Sequence, residues 1–193
     1  MREIKTTTKV YEFEELKDDI KEKVLDNYRY INVDFDEWND WLIEDFIREI
    51  KEKTNLDLEQ KDIIWEAGSR NAKFGVYSTS IINQLISRFE MKYLQQIDIS
   101  TTDKLGSFLS HMGGGICSRG ETEKDLAEVY FEEGKENKAV TTEINKIINI
   151  VIELAGKYHI QNEEVYNENI SDENVKKTLL NNEYEFTEDG RIF

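Results

Sequence analysis

Along residues 4–13, Ile4, Thr6, Thr8 and Val10 alternate with Lys5, Thr7 and Lys9, and this β-branched alternation predicts an opening strand. The period then changes. From Phe13 to Arg29, Leu16, Ile20, Val24 and Tyr28 recur at every fourth residue among Lys, Asp and Glu, which predicts an amphipathic helix. Residues 34–55 repeat the device, with a dense apolar stripe of Trp41, Ile43, Phe46, Ile47 and Ile50 from which Trp38, Leu42, Asp45 and Glu49 diverge. DIIWEAG and AKFGVYS, between residues 62 and 78, read as two strands joined by the turn GSRN, whose Gly and Asn tolerate positive φ. In residues 79–96, Ile82, Leu85, Ile86, Phe89 and Tyr93 share one side and predict a third helix of about four turns.

Farther on, the Val-Tyr-Phe centre of residues 125–134 favours a strand. Residues 141–160 open on a Thr N-cap candidate and continue with Ile144, Ile147, Ile148, Val151, Ile152 and Ala155 at helical spacing, as expected of a central buried helix. Ser171 before an acid-rich turn predicts a last helix, with Val175, Leu179 and Leu180 as its buried side. The chain closes on Tyr184 and Phe186 alternating with acids and on a hairpin-type Asp189-Gly190 turn. The tripeptide Tyr-Glu-Phe occurs twice, at 11–13 and 184–186. Helices separated by clusters of strands imply a single α+β domain spanning residues 1–193, an antiparallel sheet packed against several amphipathic helices.

Composition fits one well-buried core: 193 residues, 38% hydrophobic and 11% aromatic. No proline interrupts the helices. Charge changes the picture more. With 41 acids against 25 bases the net charge is -16, so bare nucleic acid and anionic membranes are repelled and basic proteins are favoured. One cysteine forms no internal disulfide, the opening MREIKTTTKV has no leader pattern, and the longest apolar run falls short of a membrane span; a cytoplasmic protein is expected.

Candidate chemistry concentrates in SHMGGGICSRG, residues 110–120, with His111, Cys117, Arg119 and four of the ten glycines. Structural zinc is excluded on supply, since His111, Cys117 and His159 are the only Cys/His residues. DFDEW at 34–38 lacks the glycine and distal glutamate of a calcium loop and reads as a solvated acidic helix entrance. The glycines make no phosphate-binding motif and read as a loop or strand corner. No assembled catalytic set emerges, and no cofactor or metal is expected. The charge distribution is more telling. Tyr30 to Ile47 holds six acids and no base: Asp34, Asp36, Glu37, Asp40, Glu44 and Asp45. Between Ala67 and Gln96 the balance reverses, with Arg70, Lys73, Arg88 and Lys92 against Glu90. The acidic run is a candidate partner-binding face, its carboxylates spaced like phosphates and Trp38 and Trp41 supplying apolar anchors.

The segments YEFEELKDDIKEKVLDNYR (11–29) and SDENVKKTLLNNEYEFTEDGRIF (171–193) resemble the two ends of a widespread family of small phage, prophage and plasmid proteins, mostly uncharacterised and sometimes labelled antitoxin-like. WEAGSRNAKFGV corresponds to that family's Gly/Ser-rich hairpin in outline, with its glycine and acidic positions altered. The resemblance carries over no catalytic residue and implies a mobile-element setting. The expectation is a non-enzymatic inhibitor of a host defence machine, in its sharpest form an anti-CRISPR protein acting on a Cas9-type nuclease with its guide RNA. Its partner would be a basic host protein or nucleoprotein, with no direct nucleic-acid or membrane contact. The alternatives are an antitoxin or regulator that neutralises a basic toxin, a small enzyme using Cys117 and His111, and a sponge for a signalling nucleotide with Arg70, Lys73 or Arg119 in its pocket.

Overall fold

A computed structural model describes residues 7–68, 72–89, 94–100, 115–118, 126–131 and 138–193. The fold is α+β: β1 (Tyr11–Glu12), α1 (Asp18–Asn27), α2 (Asp40–Thr54), β2 (Ile63–Glu66), β3 (Lys73–Tyr77), α3 (Ser78–Arg88), β4 (Leu94–Ser100), β5 (Gly115–Ser118), β6 (Leu126–Phe131), α4 (Lys138–Asn169), α5 (Asp172–Asn181) and β7 (Glu185–Phe186). Among the described residues every strand pairing is antiparallel, in the orders β1-β7, β2-β3-β5 and β4-β6. The chain divides into two compact units, one formed by Met1–Trp38 with Tyr166–Phe193 and the other by Asn39–Val165.

In the first unit the two Tyr-Glu-Phe copies meet. Tyr11 lies opposite Phe186 and Glu12 opposite Glu185. Phe13, Leu16, Val24, Val175, Leu179 and Phe186 are buried together, with the Phe186 ring 6.3 Å from both Phe13 and Tyr28 in edge-on contacts. Of the expected opening strand, residues 4–6 lie outside the described residues, residues 7–10 are not in a strand, and Tyr11–Glu12 pair with β7, which offers two residues before the chain turns back through Thr187–Arg191. Ser171 caps α5 as expected, its Oγ accepting from Asn174 N at 3.3 Å. Leu180, expected on the buried side, is exposed, since Val175 and Leu179 complete the inward face.

The second unit is built around Phe46 of α2, Phe74 of β3 and Tyr158 of α4. Their ring centroids lie 5.0 to 6.0 Å apart. Ile144, Ile147, Ile148, Val151, Ile152 and Ala155 are all buried, so α4 is the core helix that its spacing predicts. It begins earlier, at Lys138; Thr142 lies inside it and donates its hydroxyl back to Lys138 O at 2.8 Å, so no Thr N-cap forms there. The inward stripe of α2 is Leu42, Ile43, Phe46 and Ile50, and Trp41 is 53% exposed: burial follows the period set by Phe46, which turns position 42 inward and 41 outward. At its C-terminus Asn55 adopts φ 56°, and the Arg88 guanidinium donates to Thr54 O (2.8 Å) and Asn55 O (2.5 Å), satisfying end carbonyls.

β2 and β3 form the expected hairpin, with Gly68 at φ 67° and Trp65 opposite Phe74. The third helix stops at Arg88, short of the expected four turns. Leu94–Ser100 is instead a strand, its Ile97 and Ile99 alternating with Asp98 and Ser100 in register with β6. β6 itself confirms the strand reading of Val-Tyr-Phe.

Gly190 closes the final turn at φ 84°, and an added Cβ would lie 2.9 Å from Val24 Cγ2. Gly190→Ala should therefore lower stability by about 1–3 kcal/mol. Urea unfolding would measure this, and an unchanged midpoint would contradict the close packing of this turn on α1.

Candidate functional site

The acidic run crosses from one unit to the other after Trp38, so Asp34, Asp36 and Glu37 belong to the first unit and Asp40, Glu44 and Asp45 to the second. In the first unit the preceding segment is tied down. Arg29 donates to Ile170 O (3.2 Å) and Asp172 (2.9 Å), while Asn32 donates to Asn169 O (2.9 Å) and accepts from the Thr178 hydroxyl (2.7 Å). Beyond this anchor Asp34 and Glu37 are exposed, with no basic partner within 4.0 Å among the described residues. The Asp36 side chain lies outside the described residues. Trp38 is half-buried, its ring 6.0 Å from Tyr166. The outward aromatic of this segment is instead Phe35, 68% exposed between the acids. Periodicity could not single it out, because a lone Phe in a turn belongs to no stripe.

In the second unit the acids divide by role. Asp40 accepts from Gln60 Nε2 at 2.6 Å, and Asp45 pairs with Arg48 at 2.7 Å. Glu44 is exposed and has no cation within 4.0 Å among the described residues. Trp41 is exposed on this same helix. Nearby in sequence, Glu49 serves structure: it accepts from Lys157 Nζ (2.6 Å) and the Tyr158 hydroxyl (3.0 Å) and pairs with Lys53 (2.8 Å). The Lys157 ammonium, with Lys53, holds the Glu49 carboxyl down at about 2, while burial and the Glu49 charge push the Tyr158 phenol up.

Of the glycine-rich stretch, Gly115–Ser118 form β5, where Cys117 stands opposite Gly75 of β3. His111 and Arg119 lie outside the described residues. His159 is buried in α4, and desolvation lowers its pKa against the opposing pull of Glu163. Among the described residues no group of three or more His, Cys, Asp or Glu is arranged to hold a metal ion, and no helix is long and apolar enough to cross a membrane. Of the basic segment, Lys73 lies 3.9 Å from Glu66 and Arg88 caps α2, while Arg70 and Lys92 lie outside the described residues.

A feature that the charge pattern does not reveal is a groove of about 390 Å³ in the first unit. One wall is a face of α5 bearing Asn174, Lys177, Thr178 and Asn181; Trp38, Asn169 and Asn32 complete it. The spacing of those four α5 residues, three or four apart, is the signal that could have exposed this polar face.

Compared with protein-family models, curated proteins and solved structures, the chain matches none. Residues 11–29 and 171–193 lie in the same unit, which holds the β1-β7 pair.

Glu49 has a folded-state pKa below its unfolded value, so its contribution is complete above about pH 4.5 and is lost as pH falls toward 2. Glu49→Gln should cost about 1–2 kcal/mol at neutral pH and flatten the acid limb of the stability curve. Denaturant melts from pH 7 to pH 2.5 check this, with a variant that tracks the parent at every pH counting against the network.

Proposed function

We propose that this chain is a non-enzymatic binding protein that occupies a basic surface on a macromolecular partner. The observation that carries the reading is Phe35, a large apolar side chain held in solvent between the unpaired carboxylates of Asp34 and Glu37. Exposing such a ring forgoes about 1.5–3 kcal/mol of burial, and that cost is recovered when a partner covers it. Carboxylates without internal cations keep their full field for an incoming cationic surface, and at net charge -16 this field accelerates encounter. Trp41 beside Glu44 repeats the combination on α2 in the second unit.

The partner class that suits this chemistry is a nucleic-acid-handling protein whose cationic cleft ordinarily holds phosphates. In the sharper form, supported by the resemblance at residues 11–29 and 171–193, the target is a host-defence nucleoprotein of the Cas9 type and the chain blocks it.

A purified Cas9-type nuclease loaded with guide RNA is the direct probe of the sharper form, and capture from a lysate carrying defence systems identifies another basic partner. With the bound partner, Phe35→Ala should weaken affinity by about 2 kcal/mol, chiefly through faster dissociation. The double variant Asp34→Asn, Glu37→Gln should mainly slow association and reduce its salt dependence. Biosensor kinetics at low and physiological salt separate the two effects; salt-insensitive binding that ignores all three substitutions would refute the reading.

A further inference from the structure

The groove of the first unit differs from the surface around it. None of its seven lining residues is acidic, in a chain that carries 41 acids. Lys177 has no carboxylate within 4.0 Å among the described residues, whereas its neighbour Lys176 lies 2.7 Å from Glu14. A polar stripe on a helix would ordinarily be a solvated face, and an unpaired lysine is ordinary at a surface. Here the stripe faces a preorganised wall. Asn32 is held at both ends of its amide, by Thr178 and Asn169 O, so its position is set before any ligand arrives. Trp38 presents an aromatic surface backed by Tyr166. Asn169 and Asn181 line the groove, and their side-chain amides have no hydrogen-bond partner among the described residues.

These parts differ in what they recognise. An amide offers a donor and an acceptor side by side, complementary to the edge of a nucleobase. An indole stacks on planar heterocycles, and an unpaired ammonium is a point charge for phosphate. The volume is that of a small-molecule site. A neutral sugar would leave the Lys177 charge unanswered, and a free phosphate would leave Trp38 and the amides idle.

We propose that this groove is a nucleotide-binding site: the base lies against Trp38, Asn169 and Asn181 read its edge, and Lys177 Nζ holds the phosphate. The groove uses none of Arg70, Lys73 or Arg119, the residues that the sequence offers for an anion, and it does not depend on the Phe35 surface.

The test is calorimetric titration of the full chain with the four common nucleoside monophosphates, the matching nucleosides, inorganic phosphate and a neutral monosaccharide. Submillimolar binding of at least one nucleotide is expected, with its nucleoside weaker and phosphate alone weaker still. Lys177→Gln should weaken the nucleotide about tenfold and leave the nucleoside unchanged. Asn181→Leu should weaken both. All of these are surface positions, and circular dichroism confirms that the variants fold. The proposal is overturned if no nucleotide binds at millimolar concentration, if phosphate or the sugar binds as tightly as every nucleotide, or if Lys177→Gln leaves nucleotide affinity unaltered.

Discussion

The edge-on contact of Phe46 with Phe74, closed by Tyr158, fixes how α2 is rotated about its own axis, and the rest of the second unit follows from that rotation. With Phe46 inward, Leu42, Ile43 and Ile50 are also inward, and Trp41 and Glu44 must face solvent. The hydroxyl of Tyr158 reaches Glu49 at the edge of the same helix, so the aromatic contact also locates the ion network that joins α2 to α4. In the first unit Phe186 plays the equivalent part, and its pairing with Tyr11 brings the two copies of Tyr-Glu-Phe into one short ladder.

Charge is partitioned by the same packing. Asp40, Asp45 and Glu49 are consumed internally, by Gln60, Arg48 and the Lys157–Lys53 pair, while Asp34, Glu37 and Glu44 keep their charge for solvent or a partner. A run of six acids in sequence therefore divides between the two units, and within the second unit Glu44 stays unpaired while Asp40 and Asp45 have internal partners. The groove lined by α5 is the complement, a polar region free of acids within an acidic chain. An acidic exterior repels polyanions at long range, and this is compatible with a small nucleotide entering a local site that carries an unpaired cation.

Elements with a strong period were legible. The core positions of α4 and the strands flanking Gly68 follow their patterns, because many residues vote for one face and a local error is outvoted. Short elements were not. Among the described residues of the opening segment, Thr7–Val10 are not in a strand and Tyr11 and Glu12 pair, since strand length is set by the partner strand. The third helix pattern ran on into Leu94–Ser100, whose pairing with β6 lies about thirty residues away in sequence and leaves no local mark.

Residue identity and spacing suffice to place α1, α2, α4 and α5, the α+β class and the net charge of -16, because these depend on local propensity, periodicity and a count of ionisable groups. Which acids remain unpaired, that Trp41 points outward while Trp38 rests on Tyr166, that Phe35 stands alone in solvent, and that Asn32 and Asn181 line one groove all arise from contacts between segments distant along the chain. Such contacts depend on the rotation of one element against another, a quantity that a one-dimensional pattern constrains only to within a residue or so, which on a helix is the difference between core and solvent.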